Sequence, residues 1–575
     1  MGDLMEASNQ PLAAAGPLSS GPRRARLYGA LVFMVALSAR LYYLSGVIES
    51  SPYYNVAYLK GTDPYNFYTW GLSILGDYGL GKGIYYQSPL YPYFLALVFK
   101  LTGGGNLIIP RLSQLVIGSF TAVLAFLLGR RIRGEAAGLV AGIIVSLYGP
   151  LIMYEAAFLR DGPITFLYTA FLYVLLSTRE RPGGLRGLLL GALFGLCLLA
   201  KPNIIIMVPV MAWSLAKAGS ASIPRWSAAS KRMIAALALG FVLAMGPLWA
   251  RNATVGAPFF ALDKGGPLEY IAGNIPEAAP SGLEITPRVI EMSRAAQGST
   301  LRAIMDVLKL YKDRPQEFVR LQFVKTWVFL NGFEVPGNMN YYLEKRYVSF
   351  LRLPLFTWSL LLGLAALGLF AQRREYKKWL ELYLYLALMS LGTIAFFIVG
   401  RFKAPLVPVL AAFAGAGVTW VIGMMRERRL ASAGMALIAA AAIVVATWAR
   451  VPDPLRANDY QNMVRYYMMN KEPAKARQWA EEGKRKTAEI IAEGGGAEFH
   501  YRMARLEFLS GDPLAEVEAE TRKAREAGAP AWLEPSLQDL ELKTRERMNA
   551  DDFKPGGFRF LGAADAGRDK IEDSR

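Results

Sequence analysis

Two short acidic motifs stand out in an otherwise apolar chain. The first is Gly61-Thr62-Asp63-Pro64-Tyr65-Asn66-Phe67-Tyr68-Thr69-Trp70. An Asp ahead of a Pro that opens a helix is ordinarily an N-cap. The second motif, Tyr154-Glu155-Ala156-Ala157-Phe158-Leu159-Arg160-Asp161, lies in a very short connection between apolar runs. Two carboxylates and an Arg at the lip of a membrane are costly unless they are paired or functional. Arg160 pairing with Glu155 or Asp161 is the structural alternative. A third group is basic: Lys201 in Lys201-Pro202-Asn203, Arg251-Asn252 at a span end, and Arg401 with Lys403 in Arg401-Phe402-Lys403-Ala404-Pro405. Snorkelling would place each of these cations at an interface. Three such sites on the side that the positive-inside rule disfavours instead suggest a bound anion, such as a lipid phosphate or pyrophosphate, with Arg suited to bidentate contacts.

What positions these residues is read from hydropathy. The chain has 575 residues, 53% hydrophobic and only 19% charged, with a mean hydropathy of +0.25. Its apolar residues come in runs of about 16–22, near the length that crosses a ~30 Å hydrocarbon core; Leu107–Leu128, Met233–Trp249, Leu355–Phe370 and Ala431–Trp448 are examples. In lipid each run must be helical to satisfy its own backbone. An all-α polytopic membrane protein follows. The net charge of +18 resides in short loops between runs, where the positive-inside rule explains it without nucleic acid. The single Cys197 and single His500 exclude a disulfide framework and a multi-histidine metal site. Carboxylates, Arg, Lys and Tyr are left as the groups able to do chemistry. No Walker loop, dinucleotide-type glycine motif or HExxH occurs in a suitable context, which argues against ATP-driven or zinc chemistry.

Basic loops set the expected topology. A polar segment, 1–26, ending in Arg23-Arg24-Ala25-Arg26, reads as a disordered cytoplasmic tail ahead of an uncleaved anchor. About eleven spans then fit, near 28–46, 107–129, 136–153, 162–178, 184–200, 203–218, 232–250, 353–371, 379–399, 405–424 and 430–448. The transmembrane domain is expected over 27–450, with large extracytoplasmic loops at 47–106 and 251–353. Segment 88–102 is apolar but short and carries two prolines, so it reads as a juxtamembrane or re-entrant helix. The tail, 451–575, is soluble in composition. Its Tyr501-x-x-Ala504-Arg505-x-Glu507-Phe508-Leu509-x-Gly511-Asp512-Pro513 resembles a tetratricopeptide-like helical hairpin, either a small helical cap or a recruitment module.

In that order the chain carries Asp63-Pro64-Tyr65, Ser88-Pro89-Leu90-Tyr91-Pro92, Arg111-Leu112 with Gly129-Arg130-Arg131, Tyr154-Glu155 with Arg160-Asp161, Lys201-Pro202, and Arg401-Phe402-Lys403-x-Pro405-x-x-Pro408. Together these resemble the GT-C superfamily of membrane glycosyltransferases. The nearest branch is that of the dolichyl-phosphate-mannose–protein mannosyltransferase-like proteins (glycosyltransferase family 39), which includes the lipid A aminoarabinose transferase. The resemblance implies a polyprenyl-phosphate sugar donor, inverting transfer to a protein, lipid or glycan, and an extracytoplasmic site. The membrane would be a bacterial or archaeal inner membrane. It implies Asp63 as general base, Glu155 and Asp161 as further catalytic carboxylates, and Arg401, Lys403, Lys201 and Arg160 at the donor phosphate. Tyr65, Tyr91, Arg251, Asn274 and Glu334 are expected to contact substrate. Single displacement needs one carboxylate near the acceptor and cations for the departing phosphate. Related oligosaccharyltransferases hold a divalent metal between two acidic loops; here the acidic residues are fewer and lie beside Arg160, so no cofactor is expected. The competing reading is a polyprenyl-linked sugar flippase, which would be expected to show internal repeats and broken helices at mid-membrane.

Overall fold

The computed structural model describes residues 22–76, 80–217, 228–283, 285–448, 455–492, 496–529 and 533–549. Among these every regular element is helical, one isolated bridge between Tyr148 and Phe356 aside. The protein is an all-α polytopic membrane protein. Five helices are long and apolar enough to cross a membrane: Arg23–Ser50, Ile108–Arg133, Ser230–Thr254, Gly400–Arg426 and Leu430–Thr447. Other expected spans form shorter apolar helices, among them Gly184–Ala200, Trp358–Ala371 and Leu380–Ala395. The expected tail at 1–26 lies mostly outside the described residues, but its end is already helical from Pro22. The basic loop around Arg225 also lies outside them.

Two expected boundaries are corrected, each for a backbone reason. The first helix continues to Ser50 rather than ending near residue 46. The single span expected at 136–153 is two helices, Glu135–Ser146 and Gly149–Glu155. Pro150, in the first turn of the second helix, has no N–H to extend the first. The Leu147 carbonyl freed by the break accepts the Phe356 N–H at 3.1 Å. Segment 88–102 is the helix Leu90–Thr102, packed against helix Asp63–Leu75 and helix Ile108–Arg133.

Small residues govern the closest packing. Helices Gly184–Ala200 and Ala228–Thr254 run together along Gly187, Gly191 and Gly195, where a Cβ would meet Met233, Leu237 and Ala244. This four-residue spacing of glycines brings backbones into contact where lipid offers no hydrophobic drive for association. Among the five long apolar helices, Gly400–Arg426 is the most enclosed, with an unbroken buried run from Val407 to Gly417; it packs on helices Trp358–Ala371, Glu135–Ser146 and Ile108–Arg133.

The described residues between Leu455 and Asn549 belong to a second compact unit. It contains helices Ala457–Met469, Pro473–Ala492, Ala497–Ser510, Leu514–Glu526 and Glu534–Asn549. The third and fourth of these are joined at Gly511, which is in the left-handed conformation at φ 79°, one that glycine adopts without penalty.

Candidate active site

Helix Asp63–Leu75 is capped by Thr62, not by Asp63: the Thr62 hydroxyl oxygen accepts the Tyr65 N–H at 3.3 Å. Asp63 is the first helical residue, so its carboxylate is released from capping and sits where the helix dipole favours negative charge. The helix is held by Phe67 and Tyr68, which pack with Tyr91, Leu95, Phe99 and Phe158. At Gly71 a Cβ would lie 2.9 Å from Leu95, so glycine permits that close approach.

Asp63 Oδ2 accepts from Arg401 Nη2 at 2.6 Å and from Asn338 Nδ2 at 2.7 Å. Gln87 Nε2 stands 3.5 Å from Oδ1. The other guanidinium nitrogen of Arg401, Nη1, lies 3.7 Å from Asp161 Oδ2. A single Arg thus bridges the two acidic motifs. The Arg401 cation holds the Asp63 carboxyl below its ordinary range against the opposing effect of burial, helped by Arg160 and Asn338.

Two more cations adjoin this pair. Arg160 precedes Asp161, with its guanidinium 5.9 Å from the Phe67 ring centroid. Lys201 lies over the Phe402 ring at 3.6 Å. Burial pushes Lys201 down to about 8, reinforced by Arg160 and Arg401 and opposed by Glu269 and Asp161. Several polar atoms here are buried with no hydrogen-bond partner among the described residues: Arg160 Nη1, Asp161 Oδ2, Arg401 Nε and Glu334 Oε2. Native interiors rarely leave such groups unsatisfied, and both signs occur in one place.

The second acidic motif is divided by the fold. Glu155 is fully buried, with Arg40 of the first helix donating to both of its oxygens at 2.6 and 3.1 Å. Its partner is Arg40 rather than Arg160. Gly118 makes room for it, since a Cβ there would collide with the carboxylate. The backbone after Glu155 is stitched by helix Ile108–Arg133: Gln114 donates to the Glu155 and Ala157 carbonyls at 2.8 and 2.7 Å. Arg111 donates to Ala156 O at 2.9 Å and Tyr54 O at 2.6 Å.

The remaining sequence candidates separate in the same way. Tyr65 is half-buried on the helix that Asp63 opens. Tyr91 is buried and donates to Gln114 Oε1 at 2.6 Å, supporting that stitching. Arg251 donates to Leu80 O at 2.8 Å and Gly83 O at 2.5 Å, and covers the Tyr85 ring at 3.9 Å. Asn274 is buried, donating to Tyr270 and Ala395 carbonyls and accepting from Gln322 and Lys325; it fastens a loop. Lys403 Nζ is engaged by the Asn331 and Phe333 carbonyls at 2.8 and 3.3 Å. Glu334 is pushed up by burial and accepts from Tyr148 at 3.3 Å. Sequence reasoning missed Asn338 and Gln87; the Gly337-Asn338 pair carries only a turn signal.

A cavity of about 500 Å³ has Leu80, Pro89 and Arg251 in its lining. Tyr85, Leu90 and Tyr93 line one side, and Leu199, Leu243 and Leu248 the other.

Residues 86–249 match the family model of the dolichyl-phosphate-mannose-protein mannosyltransferases. Over that segment the match agrees with the resemblance read from the sequence motifs. It includes the second acidic motif and Lys201 and stops short of Asp63 and Arg401. Among solved structures the chain is similar to the archaeal oligosaccharyltransferase AglB from Archaeoglobus fulgidus, in a complex with an inhibitory peptide and a dolichol-phosphate. That likeness has 14% identity and a TM-score of 0.40, and covers 76% of this chain and 58% of that one. The Archaeoglobus fulgidus oligosaccharyltransferase tethered with an acceptor peptide gives 11% identity and a TM-score of 0.38, over 79% and 59% of the two chains. The chain therefore spans under two thirds of the length of these structures. No curated protein matches it.

Proposed function

We propose that this chain is a membrane glycosyltransferase that moves a sugar from a polyprenyl-phosphate donor to an acceptor hydroxyl with inversion, on the extracytoplasmic face. The acceptor is a protein, lipid or glycan. One observation carries the reading: a carboxylate at a helix start, Asp63, pairs with Arg401 at 2.6 Å and feels Arg160, while Lys201 lies near Arg160, Arg401 and Asp161.

In this mechanism the acceptor oxygen attacks the anomeric carbon while Asp63 takes its proton. The bond between that carbon and the phosphate oxygen breaks, and its electron pair leaves with the polyprenyl phosphate. Arg401, Arg160 and Lys201 stabilise the growing phosphate charge, where preformed electrostatics contribute most. The donor phosphate competes with Asp63 for Arg401, and its arrival frees one lone pair of Oδ2 to accept a proton while Asn338 keeps its hydrogen bond to the same oxygen. The apolar cavity lined by Tyr85, Leu90, Tyr93 and Leu248 suits the first isoprene units of the donor. Arg401, held between Asp63 and Asp161, supplies the positive charge that a divalent ion would otherwise bring, so activity should survive chelation. Asp161 keeps Arg401 in place, and Glu155 serves the scaffold.

The test is transfer from a radiolabelled polyprenyl-phosphate sugar by purified protein in vesicles, with and without EDTA, comparing wild type with Asp63→Asn. Transfer by wild type in EDTA and none by the variant is expected. An Asp63→Asn protein as fast as wild type refutes the base assignment. Lipid scrambling by both proteins without transfer would favour the flippase.

A further inference from the structure

Asp63 is held from two sides, and only one of the holds is ionic. Arg401 is the ionic one, and the proposed chemistry requires it to turn toward phosphate. The second is Asn338, 275 residues away in sequence. Its amide makes two contacts with the same residue: Oδ1 accepts the Asp63 backbone N–H at 3.0 Å, and Nδ2 donates to Asp63 Oδ2 at 2.7 Å. The Asp63 N–H is one of the orphan donors of a helix start, so the amide satisfies a group that the helix cannot. An amide reading both the main chain and the carboxylate of one residue fixes its side-chain torsion, as one hydrogen bond could not.

Asn338 is itself fixed by the surrounding loop. Gly337 N–H donates to Met339 O at 3.3 Å, Gly400 N–H to Val335 O at 2.8 Å, and Asn340 N–H to the Tyr53 hydroxyl at 2.9 Å. The loop is thereby tied both to the segment carrying Arg401 and to the segment preceding Asp63.

We infer that Asn338 is a positioning residue for the general base, holding the Asp63 carboxylate aimed at the acceptor when Arg401 transfers to the donor phosphate. The inference rests on the role proposed for Asp63. Asn338 neither accepts the proton nor contributes charge. The charged and titratable groups that face Asp63 are Arg401, Arg160 and Tyr86, with Asp161 beyond Arg401. The Asn338 amide is a close neutral donor to Oδ2, with Gln87 Nε2 at 3.5 Å from Oδ1, and its hydrogen bond favours the ionised carboxylate.

The experiment compares Asn338→Ala and Asn338→Asp with wild type in the vesicle assay, recording kcat, donor KM, the pH profile and the thermal midpoint in detergent. Asn338→Ala should lose about ten- to a hundredfold in kcat, the size of one hydrogen bond to a charged group. Its donor KM should stay within about twofold, because no phosphate contact is removed. The acid limb of its profile should move to higher pH. Asn338→Asp keeps the acceptor for the Asp63 N–H but replaces the donor with a like charge, so it should not rescue. If Asn338→Asp restores wild-type turnover, or the acid limb of Asn338→Ala stays in place, the residue merely ties two loops and the inference is overturned. Asp63→Asn is assayed alongside. An active Asp63→Asn removes the base assignment and the inference with it; an inactive one with unimpaired Asn338→Ala refutes the positioning role alone.

Discussion

Removing Arg401 should do two separable things, and both can be sized from its contacts. Its guanidinium stands 2.6 Å from Asp63 and 3.7 Å from Asp161, with the three side chains 14%, 21% and 7% exposed. At an effective dielectric of about 20 each contact has a gross attraction on the order of 5 kcal/mol. Desolvation offsets much of it, and deleting one partner of a buried pair typically costs about 3–5 kcal/mol. Arg401→Ala should therefore have a lower thermal midpoint in detergent. Asp63 is held below its ordinary carboxylate range in the fold, so the pairing stabilises fully above the unfolded carboxylate range. That contribution fades as pH falls through the folded value. The deficit of Arg401→Ala is thus expected to be widest near neutrality and to narrow in acid. Catalytically, losing a principal donor to the departing phosphate should cost about 10²–10³ in kcat. The acid limb should also move upward, because Asp63 then faces Asp161 without a cation between them. Arg401→Lys, a point charge unable to span both carboxylates, should recover only part of either effect. The assays are thermal scans across pH and the pH–rate profile of sugar transfer. Near-wild-type turnover with an unmoved acid limb in Arg401→Ala would refute the bridge as the organising contact.

Lys201, lowered to about 8 by burial, holds its charge below that pH and loses it above. Donor KM should rise as pH passes through about 8, and Lys201→Arg should flatten that rise. Gly118→Ala drives a methyl into the Glu155 carboxylate, so it should destabilise by about 3 kcal/mol or more if the Arg40 pair breaks; a thermal midpoint like wild type would show that the pair can shift. Leu248→Trp would fill part of the apolar cavity. It should raise KM for long-chain polyprenyl donors while sparing a donor with a short lipid, and equal effects on both would place the chain elsewhere.

The sequence alone determined that the chain is helical and membrane-embedded, because uncharged runs of bilayer length leave the backbone no other way to satisfy its hydrogen bonds. It also picked out Asp63, Asp161, Arg160, Lys201 and Arg401, because charge beside apolar spans is expensive enough to be noticed. Pairing was a different matter. Glu155 and Asp161 are neighbours in one motif, yet the fold turns Glu155 to Arg40 and Asp161 to Arg401. The cap at Asp63 likewise fell to Thr62, since Thr and Asp stand side by side and either can cap. Asn338 was illegible, because an Asn after a Gly looks the same whether it makes a turn or grips a carboxylate. Local free energy, summed over hydropathy and charge, is written along the chain. The partner that each buried charge finds depends on which helix ends and loops meet, and only the tertiary structure decided that.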